Sequence, residues 1–269
     1  MSAKGGLSGP AAPSIVYGPV ASWRLGRSLG IDLLPGRGKT CCFDCVYCQL
    51  GITTNPRGER GQFVSLEGLA QELKAAMTVP VDCVTFSGTG EPALAANLGA
   101  AIDVVRSVCG LPVAVLTNSA LMTREDVRRD MAKADIVVAK LDAPDERLFR
   151  LINRPLGEYS ITDIIAAIKR FRSSFSGRLA LQMMFMNGNK HAAREMAAVA
   201  EQIDPDEVQL NTPLRRCPVA PLPNEELDII RAEFRGIEGV VTAYDRVPPD
   251  VKPLSAAETR RRRPESSLR

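Results

Sequence analysis

Short apolar runs alternate along the chain with segments whose apolar residues recur every three or four positions. The first pattern predicts buried strands and the second amphipathic helices. Strands are expected at Ser28 to Leu34, ending on Pro35, and at Val81 to Ser87, Val113 to Asn118, Ile136 to Leu141, Leu179 to Phe185 and Val208 to Asn211. Val240 to Tyr244 adds a seventh. Between them, Ser65 is placed to cap a helix carrying Leu66, Leu69, Leu73 and Met77. Pro92 suits the first turn of a helix running through Leu94, Leu98, Ile102 and Val105. Thr123 and Asp126 form a near capping box for a helix reaching Lys133. Ser160 opens a helix with Ile161, Ile164, Ile165, Ile168 and Phe171, and further helices cover 190–203 and the stretch through Leu227, Ile230 and Phe234.

Six or so such βα units imply a parallel sheet with helices outside it, closed as a barrel or open as a doubly wound sheet. Residues 1–14, with repeated Gly, Pro, Ser and Ala, carry no periodicity and are expected to form a flexible leader. The fold should then occupy residues 15–245, leaving 246–269 as a tail. Ile15 to Val20 is short and broken by Gly18-Pro19. In the tail, Arg260 to Arg263 read as a solvated, partly mobile run, with contact to RNA phosphate as the other reading.

Composition narrows the class. A chain of 269 residues with 45% hydrophobic and 24% charged residues matches an ordinary globular protein with a substantial core. A net charge of +3 is too small to imply nucleic-acid binding by itself. No apolar run approaches the roughly 20 residues that cross a bilayer. The start, Met-Ser-Ala-Lys-Gly-Gly, lacks the apolar core of a signal peptide, so a cytoplasmic location is expected. The 7 cysteines are odd in number and clustered, which argues against a disulfide framework.

Four of those cysteines fall in residues 41 to 48, Cys41-Cys42-Phe43-Asp44-Cys45-Val46-Tyr47-Cys48. Cys41, Cys45 and Cys48 can point three thiolates at one soft metal centre, while Cys42 offers a competing register with Cys45 and Cys48. Three protein ligands would leave one coordination position open for a substrate or cofactor. In parallel α/β folds, functional groups gather after the carboxyl ends of strands. This loop follows the first strand, and Ser87-Gly88-Thr89-Gly90-Glu91-Pro92 follows the next. Glycines there let the backbone approach a ligand, and a carboxylate beside a helix start can receive an ammonium group. The plainer alternative is a glycine-rich turn.

Further strand ends present Thr117, Asn118 and Ser119, then Lys140 and Asp142, then Gln182, then Asn211 and Thr212. Lys140 is costly to bury unpaired, and Asp142, on the same strand face, is its expected partner in a structural or a catalytic role. Cys217 follows Arg215 and Arg216, whose charge can lower a thiol pKa. Arg24 and Arg27 precede the cysteine loop, where cations can neutralise a metal cluster or bind a phosphate. His191 is assigned to the surface, and Met183, Met184, Met186, Cys83 and Cys109 to packing.

The CxxxCxxC loop, with Tyr47 before its last cysteine, resembles the cluster loop of the radical S-adenosylmethionine superfamily. The stretch from Arg24-Leu25-Gly26-Arg27-Ser28-Leu29-Gly30 to Tyr47-Cys48-Gln49-Leu50-Gly51 is similar to a largely uncharacterised subgroup related to wyosine-forming tRNA enzymes. Ala21 and Trp23 depart from that subgroup, which has Pro and Arg there. The resemblance implies a partial (β/α)6 TIM-like barrel and a 4Fe-4S cluster on Cys41, Cys45 and Cys48, with Cys42 left out. It also implies S-adenosylmethionine held by Ser87, Gly88, Thr89, Gly90, Glu91 and Pro92, similar to a GGEP motif with Thr89 in place of the first glycine, and by Tyr47, Asn118 and Gln182. The implied reaction is reductive cleavage of that cofactor to a 5′-deoxyadenosyl radical that abstracts a substrate hydrogen. Lys140 and Cys217 are the catalytic candidates. A tRNA base is the first substrate expectation, ahead of a peptide or small metabolite. A reducing partner such as flavodoxin or ferredoxin, a monomer and no membrane association complete the expectation. The competing reading is an iron-sulfur electron-transfer or scaffold protein.

Overall fold

The computed structural model describes residues 13–264. The expected leader therefore lies outside the described residues except for residues 13 and 14, as do the last five residues of the tail. Among the described residues, ten strands and eight α-helices follow along the chain: β1 (Val16–Ser22), β2 (Gly26–Ile31), β3 (Lys39–Cys41), β4 (Thr53–Pro56), α1 (Leu66–Ala76), β5 (Cys83–Phe86), α2 (Leu98–Val108), β6 (Val113–Thr117), α3 (Glu125–Met131) and β7 (Ile136–Lys140). Then come α4 (Glu146–Ile152), α5 (Ile161–Arg172), β8 (Arg178–Met184), α6 (Ala193–Ile203), β9 (Glu207–Asn211), α7 (Asn224–Glu233), β10 (Val240–Thr242) and α8 (Ala256–Arg262).

Eight strands form one sheet in the order β1-β2-β5-β6-β7-β8-β9-β10. All neighbours pair in parallel except β1, which runs antiparallel to β2 on the edge. This is the mixed α/β, mostly parallel architecture of a partial barrel. The seven strands read from apolar runs are the seven parallel ones. Gly18-Pro19 does not break β1. It sits where the β1–β2 register shifts, on an edge strand that tolerates a missing N–H.

The strands bury one set of side chains under the helices: Leu29 and Ile31, Val84 and Phe86, Val113 and Val115, Leu179, Leu181 and Met183, Val208 and Leu210. Helix faces complete that layer. In α1, Ser65 Oγ accepts the Gly68 N–H at 3.1 Å and Leu69, Leu73 and Ala76 are buried. In α5, Ser160 caps and Ile161, Ile164, Ile168 and Phe171 point inward.

Several local expectations change. The helix expected to run on from Pro92 is a single 3-10 turn, Pro92–Leu94, followed by a bend before α2. Arg60 Nε and Nη2 donate to the Ala93 and Ala95 carbonyls at 3.0 and 2.8 Å, and Gly61 N donates to Leu94 O at 2.9 Å. Those carbonyls are spent on the preceding loop and cannot propagate a helix. α3 starts one residue later than the expected Thr123 cap, with Arg124, a side chain that only donates, at the N-cap, and Asp126 is engaged by Arg124 and Arg60. α4 is an additional helix whose start was legible in Asp145, which accepts the Leu148 N–H at 2.8 Å.

The C-terminal run also departs from a solvated tail. α8 packs on β1, and Arg262 is 0% exposed. Its Nε donates to Asp32 Oδ2 at 2.8 Å, its Nη1 to Glu258 at 2.5 Å, and its Nη2 to the Ser14 carbonyl. Among the described residues, no helix is long and apolar enough to cross a membrane.

Candidate active site

Strand alternation sends the remaining side chains to the concave face: Ser28 from β2, Thr85 from β5, Lys140 from β7, Gln182 and Met184 from β8 and Asn211 from β9. They line a cavity of about 410 Å³, a size typical of small-molecule sites. Its carboxyl-end rim is built by the cysteine loop after β2. Cys41, Cys45 and Cys48 line the cavity, whereas Cys42 is fully buried outside it. Thr53 N and Oγ1 tie the far side of the loop to Asp44 and the Phe43 carbonyl at 2.6 and 2.7 Å.

Lys39, 4% exposed, stands at the base of this loop. Its Nζ has no hydrogen-bond partner, and the nearest carboxylate, Asp44, is 3.8 Å away. Burial acts to lower its pKa, but the thiols of Cys48, Cys41 and Cys45 outweigh burial and raise it. Burial pushes the Cys45 thiol up to about 12. Cys41 goes the other way, because its thiolate receives the Cys42 thiol hydrogen bond and faces Lys39. Among the described residues, no group of Cys, His, Asp or Glu side chains is arranged to hold a single metal ion. A four-iron cluster bound by thiolates on different irons needs no such convergence on one point. Three thiols lining the cavity beside a buried ammonium that makes no hydrogen bond and only a long ion pair fit such an anionic cluster.

The second rim loop, Ser87 to Pro92, is set by close backbone approach. A Cβ on Gly90 would sit 1.9 Å from Thr40 O, and one on Gly88, at φ +147, would sit 2.3 Å from Asp32 Cγ. Ser87, Gly88, Gly90 and Glu91 line the cavity. Thr89 and Pro92 do not. The Thr89 hydroxyl is turned away to Asp32 and the Leu34 carbonyl at 2.9 and 2.7 Å. Glu91 accepts from Ala93 N at 3.0 Å, Thr117 Oγ1 at 2.7 Å and Asn118 N at 2.6 Å. Of its roughly four acceptor positions, one remains for an incoming ammonium. Burial, then the neighbouring Cys41, pushes its pKa up to about 7. Asn118 Nδ2 reaches the Cys42 and Cys41 sulfurs at 3.2 and 3.5 Å.

Lys140 and Asp142 do not pair directly. Tyr47 stands between them: Lys140 Nζ donates to the Tyr47 hydroxyl at 3.1 Å and lies 4.4 Å from its ring centroid, while that hydroxyl donates to Asp142. Asp142 also accepts from Asn153 Nδ2 at 2.8 Å and Met184 N at 2.9 Å. Burial, with Asp142 next, raises the Tyr47 pKa. Asn153 Nδ2 also reaches Cys45 Sγ at 3.5 Å. It carried no recognisable sequence signal, since its role depends on α4 returning the chain to the cysteine loop. Cys217 lies outside the cavity lining, packed against the small cluster of Tyr47, Ile152, Met184 and Met186, with its thiol donating to Val219 O at 3.2 Å. His191 is exposed.

The model of the radical SAM superfamily matches residues 37–199. The chain belongs to the radical SAM superfamily. It is 39% identical over 207 residues to a UPF0026 protein of Synechocystis, covering 76% of this chain and 77% of the relative. It is 37% identical over 209 residues to UPF0026 protein MJ1312 of Methanocaldococcus jannaschii, covering 75% of this chain and 64% of that relative. The structure of TYW1 with a lysine-pyruvate adduct bound matches with a TM-score of 0.59 at 16% identity, over 77% of this chain and 72% of that one, a likeness of fold. As a radical SAM enzyme the protein uses a 4Fe-4S cluster and S-adenosylmethionine and needs a source of electrons.

Proposed function

We propose that Cys41, Cys45 and Cys48 hold the cluster and that the Ser87 to Pro92 loop, with Tyr47, Asn118 and Gln182, holds S-adenosylmethionine against it. The observation that carries this reading is that the three thiols and Gly88, Gly90 and Glu91 face one cavity. When bound, these groups supply reductive cleavage of the cofactor to a 5′-deoxyadenosyl radical that abstracts a substrate hydrogen. The chain's own part is positional. Glu91 fixes the turn through Ala93, Thr117 and Asn118, leaving backbone and one carboxylate lone pair toward the cofactor amine. Lys39 offsets negative charge beside the thiols. The Lys140–Tyr47–Asp142–Asn153 chain fixes the ring next to Cys48 and presents Lys140 to the cavity, where it can position or protonate substrate. Cys217, outside the cavity, packs behind Tyr47 in this reading. Residues 15–245, with α8 packed on β1 and Arg263 on the cavity wall, form the catalytic unit, acting as a monomer in the reducing cytoplasm with flavodoxin or ferredoxin as electron donor.

Anaerobic reconstitution with iron and sulfide, then dithionite and S-adenosylmethionine, should yield 5′-deoxyadenosine, and Cys45→Ala should reduce it to background. Equal yields from both proteins would falsify the assignment. A tRNA base is the second reading, drawn from the resemblance to wyosine-forming enzymes and the TYW1-like fold. Its measure is filter binding of tRNA across salt: binding with no salt dependence, or none at all, removes it.

A further inference from the structure

Three arginines from distant parts of the chain meet on the cavity wall: Arg24 in the β1–β2 turn, Arg215 after β9, and Arg263 at the end of α8. No carboxylate among the described residues forms an ion pair with any of them. Arg215 Nη1 donates to Pro264 O at 2.9 Å and Arg263 Nη2 to Ser87 Oγ at 3.3 Å, both neutral acceptors. Arg24 Nε and Nη1 are shut off from solvent and have no hydrogen-bond partner, while its guanidinium carbon lies 5.2 Å from the Trp23 ring centroid. Glu207, the carboxylate whose charge favours the Arg24 cation, is already held by Arg178 at 3.4 Å and Arg246 at 3.6 Å. An unpaired buried guanidinium is expensive to keep without an anion to receive it.

The charges also press on one another. Arg24 is lowered to about 9, by burial first and then by Arg263 and Arg215. Arg215 is lowered to about 10, again by burial and then by Arg263. Arg27, on the neighbouring strand β2, is by contrast exposed and matched by Asp82 at 2.5 Å.

We propose that Arg24, Arg215 and Arg263 form a recognition site for an anionic group, a phosphate or carboxylate, on a small-molecule substrate. This rests on the radical reading above and supplies its substrate class. The place of Arg24, Arg215 and Arg263 on the wall of one cavity favours a compact ligand over the backbone of a folded RNA, whose phosphates stay on the outside of the molecule. Planar guanidinium forks suit bidentate contacts to such oxygens.

The test uses the full reconstituted protein with S-adenosylmethionine present, titrated with pyrophosphate and separately with citrate, against chloride at matched ionic strength. Saturable binding of either anion is expected by calorimetry, the preferred one naming the group as phosphate or carboxylate. Arg24→Gln and Arg215→Gln should each weaken it by about tenfold or more, the scale of one lost charge-assisted contact. Arg27→Gln should leave it unchanged. Arg215 sits in a loop, so its variant serves if Arg24→Gln fails to fold.

Four results overturn the site: no saturable binding above chloride, binding that persists in both variants, displacement of the anion by S-adenosylmethionine, or loss of tRNA binding in the variants when neither small anion binds. Formation of 5′-deoxyadenosine is scored separately. Its absence in the unaltered protein sinks the radical reading, whereas its presence without anion binding sinks only the arginine site.

Discussion

The two faces of strand β8 are built to different rules. Leu179, Leu181 and Met183 face the helices and are fully buried among apolar side chains. Gln182 and Met184, one residue out of phase, line the cavity. The same division runs through β2, β5 and β9. The helix-facing side must be apolar and closely packed because nothing else fills it. The cavity side can carry amides, hydroxyls and charges because bound molecules and water can satisfy them. Stability and chemistry are thus assigned to alternate residues of the same strands.

The largest stability effect should come from breaking the charge buried outside the cavity. Asp32→Asn leaves Arg262 without its fully buried partner and should cost about 3–5 kcal/mol in denaturant unfolding. A wild-type midpoint would show that Glu258 and the Ser14 carbonyl suffice. Next, Leu181→Ala on the helix-facing side should cost about 2–5 kcal/mol. Gln182→Ala, its neighbour on the cavity side, should stay within about 1 kcal/mol yet lower 5′-deoxyadenosine yield at limiting cofactor. Equal stability losses from the two would erase the contrast.

Glu91 sharpens it further, as a buried carboxyl beside the cavity. Its pKa of about 7 lies above its ordinary value of 4.5, so the folded chain binds the extra proton. The protonated form's advantage is present below pH about 4.5 and is lost as pH rises through about 7. In the cluster-free protein this should remove on the order of 3 kcal/mol, a loss that Glu91→Gln abolishes. Parallel pH–stability curves for the two proteins would refute it. The smallest effect is expected from Cys42→Ala, which should leave iron content and 5′-deoxyadenosine yield within about twofold, since Cys42 lies outside the cavity lining.

Much of this was legible in the chain alone. The parallel strands announce themselves because both of their faces are largely shielded, which leaves short apolar runs. The cysteine spacing and the Gly-Glu-Pro turn carry their chemistry within a few residues each. Arg262 could not be read this way. Within Arg260 to Arg263 it is one cation among four, and its partner Asp32 is 230 residues away. The helix expected after Pro92 failed for the same kind of reason, since Arg60 and Gly61 claim its carbonyls from an earlier loop. Lys140 and Asp142 share a strand face, as alternation requires, but Tyr47 reaches between them from the cysteine loop.

By itself, then, the sequence determined the seven parallel strands of the main sheet and most of the helices between them, the family's cysteine loop and the turn that follows the next parallel strand, because periodicity and spacing are local properties. Tertiary structure alone decided which side chains share the cavity, which arginine of the C-terminal run is buried in a salt bridge, and which three cavity arginines meet no carboxylate among the described residues. Those outcomes depend on what the fold brings within hydrogen-bonding distance across the whole chain, and on the cost of burying a charge where no partner arrives.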